Sequence, residues 1–433
     1  MEMGTPASPF VFKNATEIAD WRLCIGCGAC VSVCPDKTLA MVDFVDDGLR
    51  PVGATGDCTG CSDCVSVCPG VEVSHGPPSR QQAGIASLRE AWGPVLEVWE
   101  GYAADPDLRF GGSSGGLASA LAMYCLEHEE MRGVAHVGHD PNDKFKNKSA
   151  FSRTRDEILA ATGSRYSPAS PCDILGELAG GDRPSVFLGK PCDVAGLRKV
   201  QAIRPALDRN VGVAIGIFCA GTPSTRGTLD LLRKHAIQPG DVEELRYRGR
   251  GWPGSFAVRL KGDDDWKVLA TYQEAWSFLQ AYRPYRCHLC PDSTSEFADI
   301  SCGDPWYREI QDGEVGTSLV LVRTERGREI VQGAIRAGYV QLRKTNPEML
   351  PMSQKELQNK RGAIWGRVTT LKALGIPAPH FEGFALFSNW RRIPFGQKVR
   401  SIVGTVRRAL QRGYYRKSRY MQGTIDSATG GQR

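Results

Sequence analysis

Two stretches of the chain, Cys24–Met41 (CIGCGACVSVCPDKTLAM) and Cys58–His75 (CTGCSDCVSVCPGVEVSH), match nearly position for position, 34 residues apart. Each carries the spacing C-x2-C-x2-C-x3-C-P. The first copy holds Cys24, Cys27, Cys30 and Cys34, the second Cys58, Cys61, Cys64 and Cys68. Thiolates two residues apart turn around one corner of a cubane cluster, and the fourth cysteine reaches across to the other cluster. The spacing therefore assigns Cys24, Cys27, Cys30 and Cys68 to one [4Fe–4S] cluster and Cys58, Cys61, Cys64 and Cys34 to a second. Gly26, Gly28 and Gly60 suit the tight backbone wrap, whose amides can hydrogen-bond cluster sulfurs. Paired zinc knuckles also use C-x2-C, but two full copies, each closed by proline, favour iron–sulfur clusters. Residues 21–75 thus read as a small bacterial-ferredoxin-like module.

Outward from this module, residues 1–20 read as a leader and residues 76–94 (GPPSRQQAGIASLREAWGP) as a linker with Pro and Gly at both ends. From about Val95 the texture changes. GVAHVGHD, SVFLGKP and VGVAIGIFCAG read as short buried strands, whereas LASALAMYCLEHEE, DVAGLRKVQAI and STRGTLDLLRKH carry apolar residues at helical spacing. ELRYRG, SFAVRLK, FADISCGD and SLVLVRT add strands, and ERGREIVQGAIRAG a helix. Alternation of this kind predicts an α/β layered domain over residues 95–345, in an α+β or α/β chain overall. Its two parts meet near residue 175, and residues 346–433 read as a helical appendage and basic tail.

Composition narrows the class. The chain has 433 residues, 54 Lys and Arg against 48 Asp and Glu, and a formal charge of +6, too mild a bias to indicate nucleic acid. Fifteen cysteines, an odd and motif-bound set, exclude a secreted disulfide scaffold. No basic, apolar leader opens the sequence, and its longest apolar run, near Val211–Ala220, is half of the roughly 20 residues a membrane span needs. A soluble, cytoplasmic protein is expected.

Seven cysteines lie outside the repeat: Cys125, Cys172, Cys192, Cys219, Cys287, Cys290 and Cys302. Cys192 and Cys219 end strands, and Cys287 and Cys290 form C-x2-C in YRCHLCPD. Strand ends converge on one sheet edge, so spacing alone leaves open a third cluster or ordinary buried cysteines. Cys125, inside an apolar helix, and Cys172, in a Pro/Ser loop, read as core or bystander cysteines; Cys302 is ambiguous. His288, between two cysteines, is not assigned as a ligand.

The runs FGGSSGGLASALAMYCLE, GSRYSPAS, VFLGKPCDVAGLRK, GIFCAGTPS, YRGRGWPG, CHLCPD and FADISCGDPW, in this order over residues 95–325, resemble the coenzyme F420-reducing hydrogenase β-subunit family, most closely its longer members that begin with a two-cluster ferredoxin segment. The resemblance implies a non-Rossmann flavin domain holding FAD. It makes Cys192, Cys219, Cys287 and Cys290 ligands of a third [4Fe–4S] cluster.

A flavin site is also readable in the residues. Ser113, Ser114, Gly115 and Gly116 belong to a glycine-rich loop entering a helix, with amides and hydroxyls suited to a pyrophosphate or to a plain flexible turn. The loop is not a G-x-G-x-x-G fingerprint. Gly163, Ser164, Arg165 and Tyr166 add a phosphate cation and a ring to stack. Gly189 and Lys190 precede Cys192, and Lys190 places a positive charge near a flavin or else a solvated loop lysine. Asp299, Gly303 and Asp304 form a turn whose carboxylates meet a ribityl chain or a substrate proton. Arg248, with Arg246 and Arg250, sits on a glycine-rich ribbon that reads equally as an anion site or a solvated edge. Trp252 and Trp306 flank these loops. Lys190 and Asp304 are the catalytic candidates.

The resulting expectation is an iron–sulfur flavin oxidoreductase in which single electrons from ferredoxin reach FAD, which then exchanges hydride with an organic substrate. The alternatives are coenzyme F420 as the hydride partner, or a non-catalytic electron-transfer subunit of a larger complex. From Trp390 to Arg419 the tail holds ten Lys or Arg and no acid. As a helix it gathers Val399, Ile402, Val403, Val406, Leu410 and Tyr414 on one face. That pattern fits a membrane surface, an acidic protein or a partly ordered extension.

Overall fold

A computed structural model of the chain describes residues 10–53, 60–76, 84–143, 145–311 and 313–420. Fifteen strands occur among them: β1 (Leu39–Phe44), β2 (Gly48–Gly53), β3 (Glu72–Ser74), β4 (Glu97–Ala103), β5 (Val134–His139), β6 (Asn147–Ser152), β7 (Ser185–Gly189), β8 (Val211–Ile217), β9 (Val242–Arg246), β10 (Ser255–Leu260), β11 (Lys267–Thr271), β12 (Ile300–Gly303), β13 (Ser318–Val322), β14 (Val340–Lys344) and β15 (His380–Glu382).

Eight of them build one mixed sheet in the order β14-β4-β13-β12-β8-β7-β5-β6. Its centre, β12, β8, β7 and β5, is parallel, and antiparallel strands flank it on both sides. β13 is buried at every position and β8 through most of its length, as apolar runs covered on both faces require. The helix Leu117–Glu127 packs on one face, burying Leu117, Leu121 and Met123 against Val213, Ile215 and Val320. The helix Pro191–Gln201 packs on the other, with Val194 and Leu197 against Phe187 and Ala214. The sheet takes strands from both parts of the expected 95–345 domain, since β4 lies between β14 and β13. A separate antiparallel sheet, β11-β10-β9, closes over Leu231, Leu232 and Leu279.

The cysteine-rich module docks directly on this body. The amide of Cys172 donates to the Cys27 carbonyl at 2.9 Å and Ser170 Oγ to the Gly26 carbonyl at 2.8 Å. β3 of the module pairs in parallel with β15 of the C-terminal region. Several segments are more integrated than their sequence texture suggests. From the leader, Phe12 and Ile18 are buried against Leu23. In the described part of the linker, Leu88 and Trp92 are buried with Leu319 and Leu321 beneath the sheet. The appendage helix Ile364–Ala373 carries core residues Ile364, Val368 and Leu371, and the tail returns to the leader, where Lys417 pairs with Glu17 at 2.7 Å. No helix among the described residues is long and apolar enough to cross a membrane.

Candidate functional site

A cavity of about 300 Å³ opens where the parallel strands end. The carboxyl ends of β7, β8 and β12 bring Gly189 and Lys190, Cys219, and Cys302, Gly303 and Asp304 to its wall, the place where open α/β sheets bind ligands. Ser113, Ser114 and Gly116 line it from the start of the helix Leu117–Glu127. Gly116 holds a left-handed φ of 70° and caps that helix without a side chain, leaving the first-turn amides available. Ser113 Oγ accepts from the Ser164 amide at 2.6 Å, which ties the glycine loop to Gly163–Tyr166 on the same wall.

The charges around the cavity are unequal in their partners. Lys190 Nζ donates to Asp193 Oδ2 at 2.7 Å, and Asp193 is fully buried. Burial opposes the Lys190 ammonium, but the carboxylate of Asp193 and the nearby Cys192 raise its pKa above the ordinary range. Arg248 grips both oxygens of Asp304, at 3.0 and 2.8 Å, and Trp252 Nε1 donates to the same carboxylate at 2.9 Å. Asp304 is thereby engaged as a buttress for Arg248, whose guanidinium lies 4.2 Å from the Tyr272 ring centre. Arg165 differs. Burial lowers its pKa, and its Nε has no hydrogen-bond partner among the described residues. Its Nη2 lies 3.4 Å from His139 Nδ1, and a half-buried cation with no carboxylate paired to it among the described residues suits an anionic ligand.

Asp299 does not line the cavity. Its carboxylate is used structurally, accepting from Arg198 at 2.9 Å, from the Ala214 amide at 2.8 Å and from Thr324 Oγ1 at 2.8 Å. Gly115 stands behind the wall, its amide donating to Ser318 Oγ at 2.8 Å. Tyr166 packs among Tyr247, Tyr272 and Trp276, and Trp252 stacks on Trp306 with centroids 5.7 Å apart. Arg246 and Arg250 turn away toward Trp266. Sequence reading missed Asp193, His136, Tyr272, Trp276 and Gln354, all on the cavity wall. Asp193 carried a signal, an acid three residues after Lys190 at a helix start.

Of the expected cysteine ligands, Cys219 lines the cavity itself and the other described ones lie outside its wall. A small cleft of about 10 Å³ is lined by Cys24, Cys27, Cys30 and Cys68 together, so the fourth cysteine of the second repeat sits with the first three of the first. Burial pushes the Cys68 thiol up to about 12, with Cys24 and Cys27 adding to it. The Gly26 amide donates to Cys24 Sγ at 3.3 Å. Of the other repeat set, Cys64 is buried while Cys34 and Cys61 are partly exposed; Cys58 lies outside the described residues.

Cys192, Cys219, Cys287 and Cys290 form the further set. Burial raises the thiol pKa of Cys192 well above the ordinary value, with Asp193, Cys219 and Cys290 contributing, and lifts Cys219 to about 11 against the opposing charge of Lys360. Among the described residues no three side chains are close enough to hold a single metal ion. Thiolates that each ligate a different iron of a cubane need not be.

The helix Pro191–Gln201 links the sets. Cys192 is near its start, and a side chain at Gly196, one turn on, would meet Cys27 Sγ at 3.3 Å and Cys172 Sγ at 3.5 Å. Cys172, expected as a core or bystander cysteine, is completely buried there and donates to the Asp193 carbonyl at 3.2 Å. Cys125 is equally buried within the sheet core. His288 is pushed down to about 3 by burial and by Arg283, Arg367 and Arg408, so it stands neutral.

Comparison with known proteins bears on the family, the cysteine-rich module and the fold. The family described as "Coenzyme F420 hydrogenase/dehydrogenase, beta subunit" matches through its N-terminal part over residues 98–175 and its C-terminal part over residues 183–348, together more than half of the chain. A 4Fe-4S dicluster domain matches residues 18–73. The coenzyme F420 hydrogenase subunit beta of Methanococcus voltae is 25% identical over 64% of this chain and 95% of its own length. The chloroplastic 7-hydroxymethyl chlorophyll a reductase of Oryza sativa subsp. japonica is 27% identical over 50% of this chain and 45% of its own. Among solved structures, a chain of the F420-reducing [NiFe] hydrogenase complex from Methanosarcina barkeri shares the fold with a TM-score of 0.52 and 22% identity, over 64% of this chain and 94% of that one. The dicluster repeat, the β-subunit motifs and the shared sheet converge, and the chain belongs to the coenzyme F420 hydrogenase/dehydrogenase beta-subunit family.

Proposed function

We propose that this chain is an iron–sulfur flavoprotein oxidoreductase subunit that exchanges hydride with a deazaflavin coenzyme of the F420 type and passes single electrons through its cysteine-held clusters to or from a larger redox assembly. The observation that carries the reading is the contact of one cavity with both kinds of group: the glycine loop and Arg165 on the one hand, and Cys219 with Lys190 on the other, all line it. The relatives named as F420 hydrogenase and F420-dependent formate dehydrogenase beta subunits favour this over the ferredoxin-driven reading expected from sequence.

The residues fit FAD. Arg165 and the loop at Ser113, Ser114 and Gly116 would take the pyrophosphate, and Tyr272, Trp276 and Trp306 give an aromatic wall. Bound flavin supplies the junction between hydride pairs and single electrons, and cubane clusters supply one-electron transfer. Lys190, held by Asp193, keeps a positive charge on the wall nearest Cys192 and Cys219. The Arg248–Asp304 pair fixes the β12 turn, and Gln354 Nε2 donates to the Asp304 carbonyl at 2.6 Å, closing that side with the appendage.

Anaerobically purified protein, reconstituted with iron, sulfide and FAD, is expected to bleach its flavin with reduced coenzyme F420 faster than with reduced ferredoxin. Faster bleaching by ferredoxin, with none by F420, reverses the direction of electron flow and overturns the reading.

A further inference from the structure

The C-terminal helix Phe395–Gln411 faces the wrong way for an ordinary surface helix. Against the helix Ile364–Ala373 it buries small and polar side chains, Ser401, Thr405 and Ala409, with Ser401 Oγ accepting from Trp390 Nε1 at 3.1 Å. Its large apolar side chains point outward. Phe395 is 80% exposed, Val403 60% and Leu410 64%, and Val399 and Ile402 are exposed beside them. At helical spacing these five share one face with Val406, so the exposed residues form a continuous stripe. Scattered exposed apolar side chains are ordinary; a stripe along one helix marks an interaction surface.

The charge around the stripe says what covers it. From Gly383 to Tyr420 there is no Asp or Glu, while Arg391, Arg392, Lys398, Arg400, Arg407, Arg408 and Arg412 lie on or beside the helix. A second copy of the chain would bring the same cations against themselves. The segments outside the described residues offer little to fill the stripe, since residues 421–433 contain Met421 and Ile425 as their only large apolar side chains. An apolar stripe flanked by cations matches the headgroup–acyl boundary of an anionic bilayer, where apolar side chains enter and Lys or Arg meet phosphates.

We propose that the helix Phe395–Gln411 is an interfacial membrane-docking helix that seats the protein on anionic lipid through Phe395, Val399, Ile402, Val403 and Leu410. The surface stands apart from the redox cavity, and its function does not depend on that reading.

Co-sedimentation of the full-length protein with vesicles tests it, using phosphatidylcholine alone and phosphatidylcholine with an equal part of phosphatidylglycerol. The bound fraction is expected to be at least tenfold greater on the anionic vesicles and to fall with added salt. Val403→Glu combined with Leu410→Glu, both at exposed positions, is expected to abolish binding with the circular-dichroism spectrum and iron content unchanged. Should that variant misfold, Arg400→Glu with Arg407→Glu is expected to give the same loss. Equal binding to both vesicles, binding to neither, or unchanged binding by the variants overturns the proposal. So does a concentration-dependent dimer that Val403→Glu with Leu410→Glu dissociates, which would assign the stripe to a second copy.

Discussion

Arg286 Nη2 donates to the carbonyl of Pro69 at 3.0 Å, joining the residue before Cys287 to the residue after Cys68. Its Nε donates to the Gly70 carbonyl at 3.2 Å, its Nη1 has no hydrogen-bond partner among the described residues, and the side chain is buried. Its hydrogen bonds go to carbonyls and to no carboxylate. A buried guanidinium is costly unless negative charge lies near, and cubane clusters, if held by the cysteine sets on its two sides, would supply that charge. With the close approach of Gly196 to Cys27, this places the Cys24, Cys27, Cys30 and Cys68 set next to the Cys192, Cys219, Cys287 and Cys290 set. Cys34 and Cys61, expected to share the other cluster of the repeat, are partly exposed.

A cation between two clusters stabilises their reduced, more negative states. Arg286→Gln is expected to lower the midpoint potentials of the two adjoining clusters by an amount equal to about a tenfold change in the reduction equilibrium, ~59 mV for one electron. Arg286→Lys should recover most of the shift. Potentiometric titration followed by electron paramagnetic resonance reads both, with iron per chain as the control. Unchanged potentials at full iron content would limit Arg286 to fastening the module.

If Cys287 and Cys290 hold a third cluster, their joint replacement by Ala removes about four iron atoms and four sulfides of the roughly twelve per chain expected for three cubanes. FAD should remain, since neither cysteine lines the cavity. Iron, sulfide and flavin analysis of anaerobically purified protein measures this. Loss of all iron would mean the module cannot hold its clusters without the docking loop; no loss would leave the four cysteines without a cluster.

Arg165 offers a test of the flavin site that disturbs the fold little, because its Nε has no hydrogen-bond partner among the described residues and its Nη2 makes one long contact, 3.4 Å to His139 Nδ1. A charge-assisted contact to phosphate is worth about 1.5–3 kcal/mol, so Arg165→Gln should weaken FAD retention roughly ten- to a hundredfold. Equilibrium titration of FAD into the deflavinated protein would show it. Undiminished affinity would remove Arg165 from the site.

The local parts of this arrangement were legible in the sequence. The C-x2-C-x2-C-x3-C-P repeat specifies which thiolates share a turn, and GKPC and IFC announce strand ends, so the module's repeat and the sheet centre are legible in the spacing, whereas the set Cys192, Cys219, Cys287 and Cys290 rests on the family resemblance. The long-range parts were not. Asp299 sits in the same motif as Asp304, yet its partners Arg198, Ala214 and Thr324 come from three other elements, and they turn a candidate ligand into a brace. The segment around Leu88 and Trp92 looked like a linker because Gly and Pro bracket it, while its apolar side chains fill space beneath β13. The outward stripe of the last helix was visible as a periodic pattern, but which face packs inward is decided by the helix Ile364–Ala373.

Glu296 provides a stability measurement. It joins three regions: His75 of the cysteine module lies 2.8 Å from its Oε2, Arg361 of the appendage pairs with its Oε1, and its own loop carries Cys290. Burial disfavours the carboxylate, but Arg361 and His75 outweigh it and hold its pKa down to about 2. A carboxyl with a folded pKa below its unfolded value stabilises above the unfolded pKa of 4.5 and loses that contribution as pH falls toward 2. The difference amounts to about 3 kcal/mol. Asp292 acts in the opposite sense: burial and Glu296 push it up to about 6, so it favours folding at lower pH and withdraws that between 3.8 and 6. Glu296→Gln should therefore lower stability at neutral pH by about 3 kcal/mol, since it leaves Arg361 buried without its charge partner, and should flatten the acid limb below pH 4.5. Thermal unfolding midpoints of both proteins across pH 2 to 8 test this, and parallel acid limbs would show that Glu296 is not the group titrating there.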